Sequence, residues 1–521
     1  MAASARPAER LALRVLTAAD AACDWLYGWR YNPLYQSGTI VVALFLTLLV
    51  TGVWLILFYR VGAPWASVAR LTDSPWTGNW VRGLHRYASD AAVVATLAHA
   101  FRMFAQARSW GPRALAWVTG GVLLLLIFVC GWTGYVMVWD TFGQLLAREG
   151  ARMLDTLPVL SEPTSRAFTG ERAMPSAFFF LNLFAHIGIP LAIAVLFWLH
   201  VTRIARPALL PPRTLMWSVI GVLTAVAVVR PLVMAPEASP FNLPQTVPAD
   251  LFFAFWVPLS RAMSGGAAIG VAVTAFAALV AVPLVTRRND ATAPAPSKVD
   301  ESVCVGCVQC SLDCPYEAIT MIARAGGRSD LVARVDPAMC VSCGICAGSC
   351  APMGVGPPGR TGRDQVAGVR AFIGDPARRA NEIVVVCCEH GAAMFAPAIA
   401  AEDATAYPVD CAGNLHTSVI ELLIRGGSAG VLVLSCPPRD CRNREGPRWL
   451  RERVYGAREA ELQARVDRRR VKIAYAAARE RRDGVDALRA FAAEIRTLAA
   501  PTADATLEVD TTCDPVPAET E

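Results

Sequence analysis

Residues 84–104 read LHRYASDAAVVATLAHAFRMF, an apolar stretch in which His85 and His99 stand fourteen positions apart. A second apolar stretch holds His186 and His200 at the same spacing, so four of the chain's six histidines lie in such segments. Fourteen residues of α-helix rise roughly 21 Å and return to within about 40° of the same face. Two such helices packed together would present two stacked pairs of imidazoles. We expect each pair to bind one haem iron, although a polar link between helices is the alternative for a membrane histidine.

The composition is that of a membrane protein joined to a soluble one. Hydrophobic residues make up 54% of the 521 residues, and the mean hydropathy of +0.39 is high for a soluble chain. Six apolar stretches are long enough to cross the hydrocarbon core of a bilayer. They lie near residues 38–59, 84–104, 114–138, 177–202, 214–234 and 264–286. The expected fold is therefore multidomain, with an all-α transmembrane bundle of six helices followed by soluble domains.

Basic residues predict the orientation of these helices. Arg203 and Arg206 follow the fourth stretch, and Arg287 and Arg288 follow the sixth. With alternating crossings these regions share one side with segment 1–36, and the positive-inside rule places that side in the cytoplasm. Segment 1–36 is amphipathic and lacks the features of a cleavable signal peptide. We expect a multi-pass protein of a bacterial inner membrane. The net charge is +6, but the arginines lie between apolar stretches, so they are expected to anchor loops at the lipid surface and not to bind nucleic acid.

Two further apolar stretches carry glycines at the same fourteen-residue spacing. Gly38 and Gly52 lie in the first stretch, and Gly120 and Gly134 lie in the third. A porphyrin that lies against a helix requires a position without a side chain, and two haems require two such positions at the spacing of the irons. Close packing of two helices uses the same small residues. The agreement with the histidine spacing is what favours haem.

One arginine stands a helical turn from each histidine of the stretch 84–104. Arg82 lies three residues before His85, and Arg102 lies three residues after His99. Each guanidinium points toward the nearer membrane surface, where it would pair with haem propionates. Snorkelling of a long side chain to the lipid headgroups is the alternative.

Residues 30–286 resemble cytochrome b of the quinol-oxidising bc family, especially its chloroplast-type branch. The resemblance rests on the paired histidines and glycines and on the segments His85-Arg86-Tyr87, Trp117-Val118-Thr119-Gly120, Gly134-Tyr135 and Trp139-Asp140. It implies that His85 and His186 bind one haem b near the outer surface, and that His99 and His200 bind a second near the cytoplasm. It also implies a homodimer, a quinone pocket near the inner haem, and a last pair of helices like the family's subunit IV.

The sequence departs from this family at the quinol-oxidation motif. The family has Pro-Glu-Trp-Tyr after the fifth helix, whereas the best aligned stretch here is Pro248-Ala249-Asp250-Leu251. Asp250, and Glu237 upstream in the same loop, are therefore the catalytic candidates for accepting a quinol proton. A solvated loop carboxylate is the alternative for both. Gln36 stands where the chloroplast-type branch attaches an extra haem through a cysteine, so we expect no third haem.

Two cysteine runs follow a polar, Pro/Ala-rich linker at 287–299. Both have the spacing C-x2-C-x2-C-x3-C of the bacterial two-cluster ferredoxin, in which the fourth cysteine of each run binds the other cluster. We therefore expect an α+β ferredoxin-like domain at 300–356 with two [4Fe–4S] clusters. Cluster A would be held by Cys304, Cys307, Cys310 and Cys350, and cluster B by Cys340, Cys343, Cys346 and Cys314. Zinc is the competing ligand for C-x2-C pairs, while disulfides are not expected in a reducing compartment.

After a connector at 357–380, residues 381–500 alternate between apolar strands and helices. Strands are predicted at 383–386 and 431–434, a helix at 415–425, and mostly helix over 442–497. This pattern indicates a small parallel α/β domain, and such folds place their sites at the carboxyl ends of strands. The cysteines at or near these ends are Cys387, Cys388, Cys411, Cys436 and Cys441. The acidic tail at 501–521 is predicted to be disordered.

This α/β segment resembles the iron–sulfur delta subunit of methyl-viologen-reducing hydrogenase. The matching residues are Cys387, Cys411-Ala412-Gly413 and Ser435-Cys436-Pro437-Pro438-Arg439-Asp440-Cys441. The resemblance implies one [2Fe–2S] cluster and electron transfer between a flavoprotein and another redox partner. Its ligands would be Cys411, Cys436, Cys441 and a fourth residue, for which we predict Cys387. Cys388 is an alternative, and so is His390, which stands at the second position of the family's C-x2-C motif.

These segments together predict a membrane oxidoreductase subunit that carries electrons between the quinone pool and a cytoplasmic ferredoxin or flavoprotein. The route would use two haems b, two [4Fe–4S] clusters and one [2Fe–2S] cluster. The sequence shows no Rossmann glycine fingerprint, flavin motif or P-loop, so a partner would carry out hydride chemistry. Two alternatives stay open. In the first, the chain is the core of a Rieske-type bc complex, with a Rieske or cytochrome c subunit as partner. In the second, the cluster domains serve only for docking.

Overall fold

The computed structural model describes residues 7–498 except 107, 158–163, 165–167, 169–173, 203–208, 240, 242–249, 288–294, 325, 327–328, 377, 380, 390, 392–394, 439–440, 442, 444, 457, 459 and 478–479. The chain divides into two compact units, Met1–Asn289 and Asp290–Glu521. The predictions for Arg203, Arg206, Arg288, His390 and the tail at 501–521 concern residues outside this description.

The first unit is helical in the part that the structure describes. Its helices are α1 (Pro7–Tyr27), α2 (Ser37–Ile56), α3 (Pro64–Asp73), α4 (Trp80–Ala105), α5 (Ala114–Val138), α6 (Thr141–Leu154), α7 (Ser176–Thr202), α8 (Arg213–Val229), α9 (Val257–Ala262) and α10 (Gly265–Thr286). All six predicted apolar stretches are helices, which confirms the all-α character expected of this half.

Four of these helices are long and apolar enough to cross a bilayer, namely α2, α5, α7 and α10. Together with the family match reported below, they make the protein an integral membrane protein. The other two predicted spans differ from these four. Helix α4 contains four charged side chains, and α8 has only 17 residues. Whether α4 and α8 cross the membrane stays a prediction.

Small side chains bring the helices of this unit together in pairs. Helix α2 packs against α4, and α5 packs against α7. In the first pair Ala88 and Ala92 of α4 are buried against Ile40 and Leu44 of α2. The amphipathic helix α1 lays its buried face against the end of α4. These pairings bring the histidine-bearing helices α4 and α7 against the glycine-bearing helices α2 and α5.

The second unit begins with two small antiparallel sheets. Strand β1 (Lys298–Val299) pairs with β4 (Val355–Gly356), and β2 (Ile319–Ala323) pairs with β3 (Leu331–Val335). Two four-residue helices, α11 (Gln309–Leu312) and α12 (Ile345–Gly348), each carry the third cysteine of a run. The two cysteine runs therefore adopt equivalent local structures, as their repeated spacing predicts.

The rest of this unit is built on a parallel four-stranded sheet. Its strands are β5 (Ile383–Cys388), β6 (Ala404–Val409), β7 (Gly430–Ser435) and β8 (Val471–Tyr475), in the order β6-β5-β7-β8. Its helices are α13 (Gly362–Ile373), α14 (Ala396–Ala400), α15 (Thr417–Arg425), α16 (Gly446–Tyr455) and α17 (Arg481–Arg496). The α/β class is confirmed. The expectation of mostly helix over 442–497 is wrong where β8 completes the sheet.

Candidate functional site

Each of the four histidines faces one of the four predicted glycines. A Cβ added at Gly52 would lie 3.4 Å from Cε1 of His85, and one at Gly38 would lie 2.8 Å from Nδ1 of His99. On the other helix pair, a Cβ at Gly134 would lie 3.0 Å from Cε1 of His186, and one at Gly120 would lie 3.3 Å from Cε1 of His200. The glycines therefore clear the space that the imidazoles occupy, rather than serving only helix packing.

The rings of His85 and His186 approach each other across the two helix pairs. Their centroids are 6.4 Å apart. An imidazole nitrogen binds a transition metal at about 2.0–2.1 Å, so one metal ion held between two imidazoles separates the centroids by roughly 6 Å. The observed separation fits bis-histidine ligation of one iron. His99 and His200 occupy the equivalent positions fourteen residues further along α4 and α7.

The nitrogen Nδ1 of three imidazoles is bound by the backbone and by a threonine. Thr51, Thr119 and Thr133 place their hydroxyls 2.8, 3.1 and 3.0 Å from Nδ1 of His85, His200 and His186. The carbonyl of Cys130 also lies 3.0 Å from Nδ1 of His186. An Nδ1–H that donates to a carbonyl leaves the lone pair on Nε2 for a metal.

These threonines were missed in the sequence, although a signal was present. A hydroxyl residue directly precedes each of the four glycines: Ser37, Thr51, Thr119 and Thr133. The structure explains this pattern for the three threonines, because each threonine places its hydroxyl beside the imidazole that faces the next glycine. Three imidazoles whose Nδ1 is engaged, and four cradles that a Cβ would fill, fit haem b.

Arg102 has a partner that its position in the sequence does not reveal, and its propionate role stays a prediction. Its guanidinium is buried and donates from Nη1 to both carboxylate oxygens of Asp20 at 2.9 Å. Asp20 lies in α1 and also accepts from Asn32. Arg102 therefore fastens α1 to the end of α4. The Nη1 of Arg82 donates to the hydroxyl of Thr72 at 2.9 Å, and its propionate role stays a prediction.

Asp250 lies at the centre of a polar cluster. Tyr135 donates its hydroxyl to Asp250, Nη2 of Arg86 donates to it at 2.8 Å, and the amides of Phe252 and Phe253 donate at 2.8 and 2.9 Å. Burial opposes ionisation, but these hydrogen bonds and the charge of Arg86 outweigh it and hold the pKa of Asp250 below its ordinary value. The other candidate, Glu237, is exposed. The geometry therefore favours Asp250.

A cavity in the second unit is lined by Cys304, Cys307, Cys310 and Cys350. These are the four predicted ligands of cluster A, including the fourth cysteine of the other run. The amide of Gly354 donates to Sγ of Cys350 at 3.3 Å. Burial and the neighbouring thiols raise the pKa of Cys310, so the free thiols are poorly placed to ionise without a positive partner.

The predicted ligands of cluster B also come together. The backbone amide of Ser297 donates to Sγ of Cys340 at 3.4 Å. The hydroxyl of Ser297 lies 3.4 Å from Sγ of Cys346. Burial and the charges of Cys314 and Cys340 raise the pKa of Cys346 to about 12, although Ser297 acts against them. Cys314 in turn accepts from the amide of Ala318 at 3.3 Å. Amide donors to cysteine sulfurs are a feature of iron–sulfur sites.

A third cysteine site lies at the carboxyl ends of the parallel strands. Its cavity is lined by Cys388, Cys411, Cys436 and Cys441. The sulfurs of Cys388 and Cys436 are 3.2 Å apart, and the side-chain amide Nδ2 of Asn443 donates to Sγ of Cys411 at 3.5 Å. Hydrogen bonds from Cys388, Cys441 and Asn443 hold the pKa of Cys411 well below its ordinary value.

The fourth thiol of this site is Cys388 and not Cys387. Successive side chains of a strand point to opposite faces of the sheet. Cys388 belongs to the apolar cluster that includes Cys436 and Cys441, whereas Cys387 is buried with Leu432 on the other face. This corrects the prediction of Cys387.

In the described parts of the chain, no three of these His, Cys, Asp or Glu side chains are arranged as ligands of a single metal ion. An iron–sulfur cluster presents several irons to its cysteines, so its ligands surround a larger volume than those of one ion. Each donor set consists of four cysteines, which is the set that both cluster types use; those of the third site are all buried, while Cys304, Cys307, Cys340 and Cys343 are half-buried.

Paired imidazoles in an apolar bundle, joined to cysteine-lined cavities, are features of membrane electron-transport proteins. Residues 26–207 match the family described as Cytochrome b/b6/petB, and residues 383–499 match the family described as Methyl-viologen-reducing hydrogenase, delta subunit. The chain therefore carries a cytochrome b/b6 domain, a family that binds haem b, and a hydrogenase delta-subunit domain. The cytochrome b resemblance is confirmed over 26–207 and the delta-subunit resemblance over 383–499. The likeness of the last two apolar helices to subunit IV and the ferredoxin-like resemblance of 300–356 stay predictions.

Among solved structures, the chain is similar to one titled "Hyperthermophilic respiratory Complex III". The two sequences are 14% identical, the TM-score is 0.40, and the match covers 48% of this chain and 75% of that chain.

Proposed function

We propose that this protein is a membrane electron-transfer subunit that carries electrons between the quinone pool and a cytoplasmic ferredoxin or flavoprotein. The observation that carries the proposal is the set of four imidazoles, each placed against a glycine of a neighbouring helix. His85 and His186 would hold one haem b, and His99 and His200 the second. Bound haem supplies one-electron chemistry at these positions.

The cysteine sites extend this proposal into the second unit. The cavity of Cys304, Cys307, Cys310 and Cys350 would hold one [4Fe–4S] cluster, and Cys314, Cys340, Cys343 and Cys346 would hold another. The site of Cys388, Cys411, Cys436 and Cys441 would hold a [2Fe–2S] cluster. We place this unit in the cytoplasm of a bacterium, because the arginines that flank the apolar helices favour that side.

Asp250 is proposed as the group that accepts a quinol proton. The carboxylate lies beside the hydroxyl of Tyr135, which donates to it and gives a proton a path to it. Arg86 fixes the carboxylate through one oxygen, while two backbone amides fix the other. Such a positioned carboxylate replaces the glutamate that the sequence lacks.

The polar side chains around Asp250 also favour a second candidate function. With a Rieske or cytochrome c subunit as partner, the first unit would be the quinol-oxidising core of a bc complex. The second unit would then accept one of the two electrons that each quinol releases. Inhibition of quinol oxidation by outer-site inhibitors, and co-purification of a Rieske subunit, distinguish this candidate from the first.

The test begins with the oxidised protein in detergent, under anaerobic conditions. It is mixed with a short-chain quinol, and the visible bands of haem b and the EPR signals of the clusters are followed together. Haem reduction followed by cluster signals supports the proposal and gives the direction of electron flow. If the haem stays oxidised with quinol and also with reduced ferredoxin, the proposal is refuted.

Cys343→Ala separates electron transfer from a docking role of the second unit. We expect this variant to keep quinol-driven haem reduction and to lose reduction of the soluble acceptor. Unchanged electron flow to the acceptor would show that the cluster domains serve only for docking. Metal analysis of the wild-type protein distinguishes iron from zinc in the cysteine sites.

A further inference from the structure

Arg453 is the largest fully buried side chain among the described residues of the protein, and it is only 1% exposed. It lies in α16, and its guanidinium donates to the carbonyls of Trp449, Leu415 and Gly413. Two of these carbonyls lie just after Cys411, a ligand of the proposed [2Fe–2S] site. One side of the guanidinium is therefore fixed by the loop that carries this ligand.

The other side of Arg453 lies against α12 of the ferredoxin-like segment. A Cβ at Gly348 would be only 1.5 Å from Nη1 of Arg453, so any larger residue there would displace the guanidinium. Gly348 stands between Cys346 and Cys350, which are predicted ligands of clusters B and A. The cation thus lies between two cysteine sites.

The charge of Arg453 has no carboxylate to balance it at close range. The buried carboxylate of Asp313 interacts with it only at longer range, and Asp313 is already bound by Arg458 at 2.6 and 3.1 Å and by Ser349 at 2.6 Å. Within the described residues, no carboxylate forms an ion pair with Arg453. A buried and unbalanced guanidinium is unfavourable, which indicates that an anionic group lies nearby in the functional protein.

We propose that Arg453 is a positioning residue whose charge is shared by the [2Fe–2S] site and the cluster B site, and that it raises the reduction potential of both. Reduction adds one electron to a cluster and breaks no bond, the electron being supplied by the partner carrier. The added negative charge is stabilised by a fixed cation nearby, and net charge and hydrogen bonding are known determinants of cluster potentials. The inference rests on the proposed function, because it requires that the clusters are bound.

The test uses the full-length protein in detergent and three variants. Arg453→Gln removes the charge, Arg453→Lys keeps it, and Arg470→Gln is the matched control. Arg470 is another buried arginine that donates to a carbonyl, that of Ala429 at 2.9 Å. Iron and acid-labile sulfide are measured first, and each cluster is then titrated with dithionite while its EPR signal is followed.

We expect Arg453→Gln to lower the ratio of reduced to oxidised cluster at a fixed potential, on the order of tenfold for both signals. Arg453→Lys should retain most of the wild-type ratio, and Arg470→Gln should match the wild type. Equal ratios in wild type and Arg453→Gln with full cluster content would overturn the inference, as would a lysine variant that behaves like the glutamine variant. If Arg453→Gln fails to assemble its clusters, Arg453→Lys decides the question. Normal clusters and potentials in the lysine variant support the role of the charge, and failure of the lysine variant to assemble refutes that role. A wild-type protein without iron–sulfur signals refutes the proposed clusters themselves, and this inference with them.

Discussion

Substituting alanine at each of the four glycines should reduce haem binding to a graded extent. The added Cβ would lie 2.8 Å from His99 for Gly38, 3.0 Å from His186 for Gly134, 3.3 Å from His200 for Gly120 and 3.4 Å from His85 for Gly52. Overpacking of a tight site costs about 1–3 kcal/mol, which corresponds to roughly 5- to 150-fold weaker binding. Gly38→Ala should lie at the upper end of this range. Gly52→Ala makes only an ordinary contact, so its loss of haem should be the smallest of the four.

The assay measures the haem-to-protein ratio of each purified variant and titrates the visible bands against potential. Gly38→Ala should diminish the component assigned to His99 and His200, and Gly134→Ala the component assigned to His85 and His186. Gly188→Ala is the matched control, because a Cβ there meets nothing within 4 Å although the residue lies in α7 close to His186. We expect the control to retain all of its haem.

The reasoning is refuted if Gly52→Ala loses as much haem as Gly38→Ala, or if Gly188→Ala loses as much as Gly134→Ala. Either result would mean that the distance from the imidazole does not determine the effect. Loss of both redox components in every variant would indicate general misfolding instead of a local contact.

Three other predictions concern single residues. Cys388→Ser should abolish the [2Fe–2S] EPR signal while Cys387→Ser preserves it, and the opposite pattern would return the fourth ligand to Cys387. Asp250→Asn should slow quinol-driven haem reduction by about a hundredfold. Because the pKa of Asp250 is held below its ordinary value, the carboxylate and its ion pair with Arg86 should persist in wild type at a pH where a free aspartate is already protonated, and be lost as the pH falls through the lowered pKa. Equal stopped-flow rates in both proteins would exclude a proton-accepting role. Arg102→Met leaves Asp20 buried and unpaired, which should lower the free energy of unfolding by about 3–5 kcal/mol in denaturant titrations; a loss below about 1 kcal/mol, the value for exposed pairs, would contradict the burial of this pair.

The helices and the cysteine sites could be predicted from sequence because their signals are periodic. The fourteen-residue spacing of His85 and His99 defines one face of a helix, and each glycine lies opposite the imidazole that its spacing predicts. The cavity of Cys304, Cys307, Cys310 and Cys350 contains the fourth cysteine of the other run. Such a spacing indicates which residues lie close together in the folded protein, so it can be recognised without the tertiary structure.

The errors concern information that a periodic pattern does not contain. Two adjacent cysteines in a strand point to opposite faces, and spacing alone cannot tell which face bears the site. The ion pair of Arg102 was missed because its partner Asp20 lies 82 residues away in another helix. Strand β8 was missed because it follows Arg468-Arg469-Arg470, whose charges resemble those of a solvated helix.

The ion pair between Asp20 and Arg102 has a consequence for biogenesis. Asp20 is synthesised 82 residues before the arginine that neutralises it. Until α4 emerges, α1 carries a carboxylate whose burial is unfavourable, so this helix remains undocked while the first apolar helix enters the bilayer. Gly38 lies in the first turn of α2, the next long helix after α1, and against His99. We therefore expect α1 to dock only after α4 has been synthesised, which protease protection of α1 in truncated nascent chains would measure.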